Sequence, residues 1–232
     1  MERQVLGRTG RLVSVVGLGS WQLGAAWGDV SEGDARAVLD ASAQAGVTFF
    51  DTADVYGDGR SEQIIGSYLA DNPGHGITVA TKMGRREPQD ADNYTLAKFR
   101  EWVDRSRRNL RTDRLDLVQL HCPPTAVYSR DEVYDGLDTL VAEGAIASYG
   151  VSVETVDEAL TAIARPHVAT VQIILNAFRL KPLDAVLPAA SAAGVGVIAR
   201  GPRASGRLAG TAPQAPRGGA GAPGGGAPPP PR

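Results

Sequence analysis

The feature that most restricts this chain is a strict alternation of short apolar runs with amphipathic stretches, repeated six times between residues 35 and 199. The apolar runs, residues 47–50, 77–81, 115–120, 146–151, 169–175 and 195–199, are too short for helices and rich in β-branched residues, so they read as buried strands. The stretches between them carry apolar residues at helical spacing; in residues 96–110 these are Phe99, Trp102, Val103, Ser106 and Leu110. Helices are predicted over 35–45, 61–70, 96–110, 133–143, 154–164 and 183–193. Ser31 with Asp34, and Ser129 with Glu132, have capping-box spacing at two starts, and Gly46, Gly144 and Gly194 stand where C-cap glycines belong. Strands alternating with helices imply a parallel sheet covered by helices, which is either a barrel or a doubly wound sheet.

The ends of the strands choose between the two. Residues 47–50 run into Asp51, residues 77–81 into Lys82 and residues 115–120 into His121. A charge that a strand interior would reject marks a strand end at a site. Five residues beyond Asp51, Tyr56 is followed by Gly57 and Gly59, so a phenol sits on a tight loop beside the carboxylate. Parallel α/β barrels gather their chemistry at the C-terminal ends of successive strands, as here. A dinucleotide-binding doubly wound sheet would need GxGxxG after its first strand, whereas Gly17-Leu18-Gly19 continues as Ser20-Trp21-Gln22 without the last glycine.

Residues 4–17 precede the alternation and read as a short antiparallel hairpin turning at Arg8-Thr9-Gly10. The expected architecture is α/β, of the (β/α)8 TIM-barrel type but incomplete, with about six βα units, an N-terminal β-hairpin and a disordered C-terminal tail. The domain runs over residues 1–210. The tail is residues 211–232, where 13 of 22 residues are glycine or proline and no Val, Ile, Leu or aromatic residue occurs.

Charge and cysteine content remove several function classes. A net charge of -2 without blocks of like charge provides no basic face for nucleic acid or anionic lipid. No run of eighteen apolar residues or apolar leader occurs, and the one cysteine, Cys122, cannot pair within the chain. A cytoplasmic protein with no nucleic-acid or membrane partner is expected. Cys122 reads as a small packed residue, Trp102 as core, His75 and His167 as loop histidines without partners, and Trp21 suits either packing or the lining of a pocket.

Eight segments, in order, resemble the aldo-keto reductase family: LGRTG (6–10), GLGSWQLG (17–24), FFDTADVYGDGRSE (49–62), ATKMG (80–84), LDLVQLHCP (115–123), GVS (150–152), VQIILNAFR (171–179) and GVGVIARGPRASG (194–206). The resemblance covers residues 1–210 and implies a (β/α)8 barrel that reduces small carbonyl substrates with NADPH (NADP) and no metal. It implies a catalytic set of Asp51, Tyr56, Lys82 and His121. Tyr56 would protonate the carbonyl oxygen, helped by the Lys82 ammonium; Asp51 would hold Lys82 charged, and His121 would orient the substrate oxygen. By position, Ser152 and Gln172 resemble residues that bind the nicotinamide amide, and Gly19, Ser20 and Trp21 line the neighbouring mouth.

A complete barrel of this type needs about 250 residues and eight strands, and six are read here before the tail. Unpaired edges are therefore expected on the first and last strands, with self-association through them. The phosphate-binding loops that follow strands seven and eight are expected to be missing. The alternative to a reductase is an inactive remnant or a non-catalytic nicotinamide-binding subunit.

Overall fold

The computed structural model describes residues 1–24, 30–204 and 208. Two short strands, β1 (Arg3–Val5) and β2 (Leu12–Ser14), form the antiparallel hairpin. Then come β3 (Leu18–Gly19), α1 (Glu32–Gln44), β4 (Phe49–Asp51), α2 (Arg60–Asp71), β5 (Thr78–Met83), α3 (Leu96–Leu110), β6 (Leu117–His121) and α4 (Asp131–Ala142). The remainder is β7 (Tyr149–Ser152), α5 (Val156–Ile163), β8 (Thr170–Ile174), the one-turn α6 (Lys181–Asp184), α7 (Val186–Ala193) and β9 (Gly196–Arg200). Strands β3 to β9 form one sheet in chain order, every neighbouring pair parallel. The sheet curls as in a barrel of the (β/α)8 type, with a helix after each of β3 to β8.

The six βα units match the expected alternation, but the sheet has one strand more than the six read from sequence. The chain leaves the hairpin after Ser14, and Leu18–Gly19, just beyond the stretch read as the hairpin, pairs with β4 through Leu18↔Phe50 and Gly19↔Asp51. The crossing is fixed where the Ser14 and Thr48 backbone N–H groups each donate, at 2.9 Å, to the other residue's side-chain hydroxyl. The open edges are thus β3 and β9, and the strand at residues 47–50 is internal. The capping box expected at Ser129 is also absent, because Thr125–Ser129 winds into a 3-10 turn and α4 starts from Arg130 without a side-chain cap. A complete capping box instead opens α5, between Thr155 and Glu158. Expectations for residues 211–232 lie outside the described residues.

The apolar residues divide into two layers. On the helix side of the sheet a large cluster joins Leu39, Phe50, Ile65, Phe99, Val118, Leu137 and Val171, among others. On the other side Val13, Phe49, Ala80 and Leu117 pack with Leu6 and Ile198, so hairpin residues meet alternate residues of β4, β5, β6 and β9. The hairpin turn also presses on β9, since a Cβ on Gly7 would lie 2.0 Å from the Gly196 nitrogen, and Arg8 donates to the carbonyls of Arg165, Pro166 and Val168. The hairpin therefore forms the floor of the open barrel and is tied both to β9 and to Thr48, the residue before β4.

Phe49 is the largest side chain of that floor and is 5% exposed. Phe49→Ala is expected to cost about 3–5 kcal/mol by the loss of buried area and the cavity left behind. Urea unfolding of the two proteins measures this; a loss below about 1 kcal/mol would mean that the floor does not carry the fold.

Candidate active site

Directly above the apolar floor the sheet interior turns polar. In β4, β5 and β6 the inward positions two residues beyond Phe49, Ala80 and Leu117 are Asp51, Lys82 and Gln119, and His121 follows on β6. The period of two along a strand converts an apolar layer into a polar one at a single step. The Lys82 side chain is 1% exposed, and its ammonium donates to Asp51 Oδ1 at 2.5 Å, to the Thr52 carbonyl at 2.8 Å and to the Tyr56 hydroxyl at 3.5 Å. Burial acts to strip Lys82 of its proton. The Asp51 charge, then Tyr56 and the hydrogen bonds to both outweigh it, so its pKa lies above the ordinary lysine value and the ammonium persists.

Tyr56 reaches this cluster from the loop between β4 and α2. Gly57, Asp58 and Gly59 all have left-handed backbone, with φ of 60°, 53° and 95°. A Cβ on Gly57 would lie 2.3 Å from the Gly24 carbonyl oxygen, so only glycine allows the loop to close against the segment after β3. The loop returns the Tyr56 ring over Lys82, whose Nζ is 5.1 Å from the ring centroid. The His121 ring stands edge-on to Tyr56, with centroids 5.9 Å apart and planes at 85°. Burial, followed by the charges of Lys82, Arg85 and Arg200, pushes the His121 pKa down to about 2. The imidazole is therefore neutral, and its Nδ1 is buried without a partner.

The five residues expected around the cofactor, Ser152 and Gln172 at the amide and Gly19, Ser20 and Trp21 at the neighbouring mouth, divide. Gln172 Nε2 donates to Asp51 Oδ2 at 2.8 Å, and Ser152 Oγ donates to Gln172 Oε1 at 3.3 Å, so both adjoin the cluster. Gly19 pairs with Asp51 in register and has open space where a Cβ would stand, and Trp21 is 46% exposed. Ser20 turns the other way: it is 1% exposed, and its hydroxyl donates to the Asp51 carbonyl at 2.8 Å and accepts from Ser61 at 2.9 Å. Cys122 is buried, as expected for a packed residue. His75 and His167 have partners after all: His75 Nδ1 accepts from the Ile77 backbone N–H, and His167 Nδ1 lies 2.8 Å from Asp138 Oδ2.

Two residues of the site escaped the sequence reading. Gln119, 0% exposed, places Nε2 3.4 Å from Asp51 Oδ2, so Asp51 has Lys82 on one oxygen and two glutamine amides on the other. Its signal was available, because Gln119 shares the inward face of β6 with Leu117 and His121. Asp54 is 1% exposed, and neither of its carboxylate oxygens has a partner. Burial and the neighbouring Glu62 carboxylate push its pKa from 3.8 to about 7, against the pull of Arg86, Arg105 and the Val55 backbone N–H.

Asp54 makes stability depend on pH with a definite sign. Between 3.8 and about 7 the folded chain keeps a proton that the unfolded chain has released, so stability falls as pH rises through this range. The full loss is about 4 kcal/mol. Asp54→Asn removes the titration, so the variant should exceed the parent in stability at about pH 8, by a margin that shrinks toward about pH 5. Thermal unfolding across that range measures the margin, and one that does not vary with pH would show that Asp54 is not the titrating group.

The sequence pattern of the Aldo/keto reductase family matches residues 15–221. The uncharacterized oxidoreductase YqkF of Bacillus subtilis is 31% identical over 212 residues, covering 90% of this chain and 67% of the relative. The holo form of aldo-keto reductase AKR11C1 from Bacillus halodurans superposes with a TM-score of 0.79 at 30% identity, covering 89% of this chain and 68% of that one. An aldo-keto reductase from Klebsiella pneumoniae in complex with NADPH superposes with a TM-score of 0.75 at 26% identity, covering 90% and 71%. The chain spans about two thirds of the length of the relatives it matches. The family match extends over most of the chain and the fold agrees with it: the chain belongs to the aldo/keto reductase family.

Proposed function

We propose that this chain reduces aldehydes or ketones to alcohols with hydride from NADPH, Tyr56 acting as the general acid. The observation that carries the reading is the buried Lys82 ammonium held between the Asp51 carboxylate and the Tyr56 hydroxyl. Giving up a proton leaves negative charge on the phenol oxygen, and a desolvated cation 3.5 Å away stabilises that charge as it develops. Asp51, fixed on both oxygens, keeps Lys82 charged and aimed. His121, being neutral, offers an N–H to the carbonyl oxygen without competing as the acid.

The residues at the mouth suit a nicotinamide ring and its carboxamide: open space at Gly19, an exposed indole at Trp21, and the hydroxyl and amide of Ser152 and Gln172. These would hold the ring, with Ser20 contributing through the backbone it anchors. When bound, the cofactor supplies the hydride. NADPH is chosen because the Klebsiella pneumoniae relative was solved with it. The reading includes a cytoplasmic location, in keeping with the absence, among the described residues, of a helix long and apolar enough to cross a membrane. It also includes self-association through the open edges β3 and β9.

NADPH oxidation with 4-nitrobenzaldehyde, run beside Tyr56→Phe, tests the chemistry. Turnover is expected in the parent and a fall of about 10²–10⁴-fold in the variant. Equal rates in the two proteins would remove Tyr56 from its role, and NADPH binding without turnover in either would favour the non-catalytic nicotinamide-binding subunit. Sedimentation velocity over a range of concentrations is expected to show a mass that rises with concentration. A monomer throughout would rule out the pairing of edges.

A further inference from the structure

Arg105 lies on α3, far along the chain from the loop that carries Tyr56, yet it grips that loop on both sides of the tyrosine. Its Nη1 donates to the Asp54 carbonyl at 3.1 Å, and its Nη2 donates to the Asp58 carbonyl at 2.7 Å and to Asp58 Oδ1 at 2.9 Å. The two carbonyls belong to the residues two before and two after Tyr56. One planar guanidinium therefore spans the segment whose tip is the phenol.

The loop has need of such a grip. Three consecutive residues after Tyr56 are left-handed, including Asp58, whose side chain makes that conformation less favourable than it is for glycine. In the same loop the Asp54 carboxyl is buried, with the Glu62 carboxylate as a neighbour. One turn further along α3, Asn109 closes on the same loop: a Cβ on Gly59 would lie 2.7 Å from Asn109 Nδ2 and 3.2 Å from Arg105 Nη2. From the other side the loop is joined to β5, where the Asp54 N–H donates to the Lys82 carbonyl at 3.1 Å.

We infer that Arg105 is a positioning residue that sets the distance between the Tyr56 hydroxyl and the Lys82 ammonium by clamping the carbonyls of Asp54 and Asp58. The inference rests on the reading of Tyr56 as the acid. Arg105 does not touch the reacting atoms; it acts through the backbone. A misplacement of about 1 Å at a reacting group can cost about 100-fold in rate, so a clamp on this loop is enough to govern turnover. A plain ion pair with Asp58 would have different consequences. It would be lost in Asp58→Asn, which leaves both carbonyl bonds in place and suits a left-handed position.

The test combines kinetics with amide hydrogen exchange on Arg105→Met, Arg105→Lys and Asp58→Asn. In Arg105→Met, exchange is expected to quicken over residues 54–59 while β5 to β8 exchange as in the parent. The same variant should lose about 100-fold in kcat with KM for NADPH changed less than about twofold. Lysine, a single point charge in place of a fork, should restore part of both effects, and Asp58→Asn should behave as the parent. The clamp is overturned by parental loop exchange in Arg105→Met, by loosening spread over the whole sheet, by an unchanged kcat, or by Asp58→Asn losing as much as Arg105→Met. Should the parent itself fail to oxidise NADPH, the reading of Tyr56 falls, and the loop exchange alone then decides whether Arg105 holds this segment.

Discussion

One buried charge organises the upper half of the sheet. An ammonium taken out of water costs several kcal/mol unless it is paired and its protons are accepted, and Lys82 satisfies this with Asp51, the Thr52 carbonyl and Tyr56. The requirement propagates. Asp51 must itself be held, and it takes amide donors from Gln172 on β8 and Gln119 on β6, while its backbone carbonyl accepts both the N–H and the hydroxyl of Ser20. Strands β4, β5, β6 and β8 and the segment after β3 thus converge on a single ion pair. Removing either partner would leave the other charge buried and alone, which generally costs about 3–5 kcal/mol. The site is therefore part of the fold's own electrostatics.

The division between floor and site follows from the strand repeat. Phe49, Ala80 and Leu117 face inward in one layer, and Asp51, Lys82 and Gln119 face inward in the next. Apolar burial at the N-terminal ends of the strands supplies stability without direction, while the C-terminal ends supply directed polar contacts. The hairpin reinforces the first of these. It meets β9 at Gly196 and the chain just before β4 at Thr48, so the curled sheet is closed at its bottom.

Much of this was legible in the sequence because it is local. Six strands could be read from their apolar runs, and three of them ended in an abrupt Asp, Lys or His, the residues that meet in the candidate site. Leu18–Gly19 was not legible as a strand, because two residues carry no period and the preceding run, Leu12 to Val16, continues the hairpin's apolar character. Ser129 has the spacing of a helix cap, but a 3-10 turn takes up that residue first. Long-range partners were the larger loss. Nothing near Arg105 in sequence points to Asp54, and the residues assigned to the cofactor gave no sign that Ser20 would be committed to Asp51 and Ser61.

The two glutamines add a physical constraint that the four strand-end residues do not reveal. Gln172 donates to Asp51 through Nε2 and accepts from Ser152 through Oε1, so neither end of its amide can be reversed without placing an oxygen against the carboxylate. Gln119 is held the same way round by Asp51, and this leaves its Oε1 buried without a partner. An unpartnered buried carbonyl commonly costs about 1–3 kcal/mol, and an apolar side chain on the same inward face would avoid that cost. The floor one layer below uses Leu117 at the equivalent position of β6. A glutamine in place of another leucine is thus unfavourable for packing and favourable for Asp51, which assigns its value to the electrostatics of the ion pair. Tyr56 therefore stands over an ion pair that is fixed by directed bonds from four strands, β4, β5, β6 and β8.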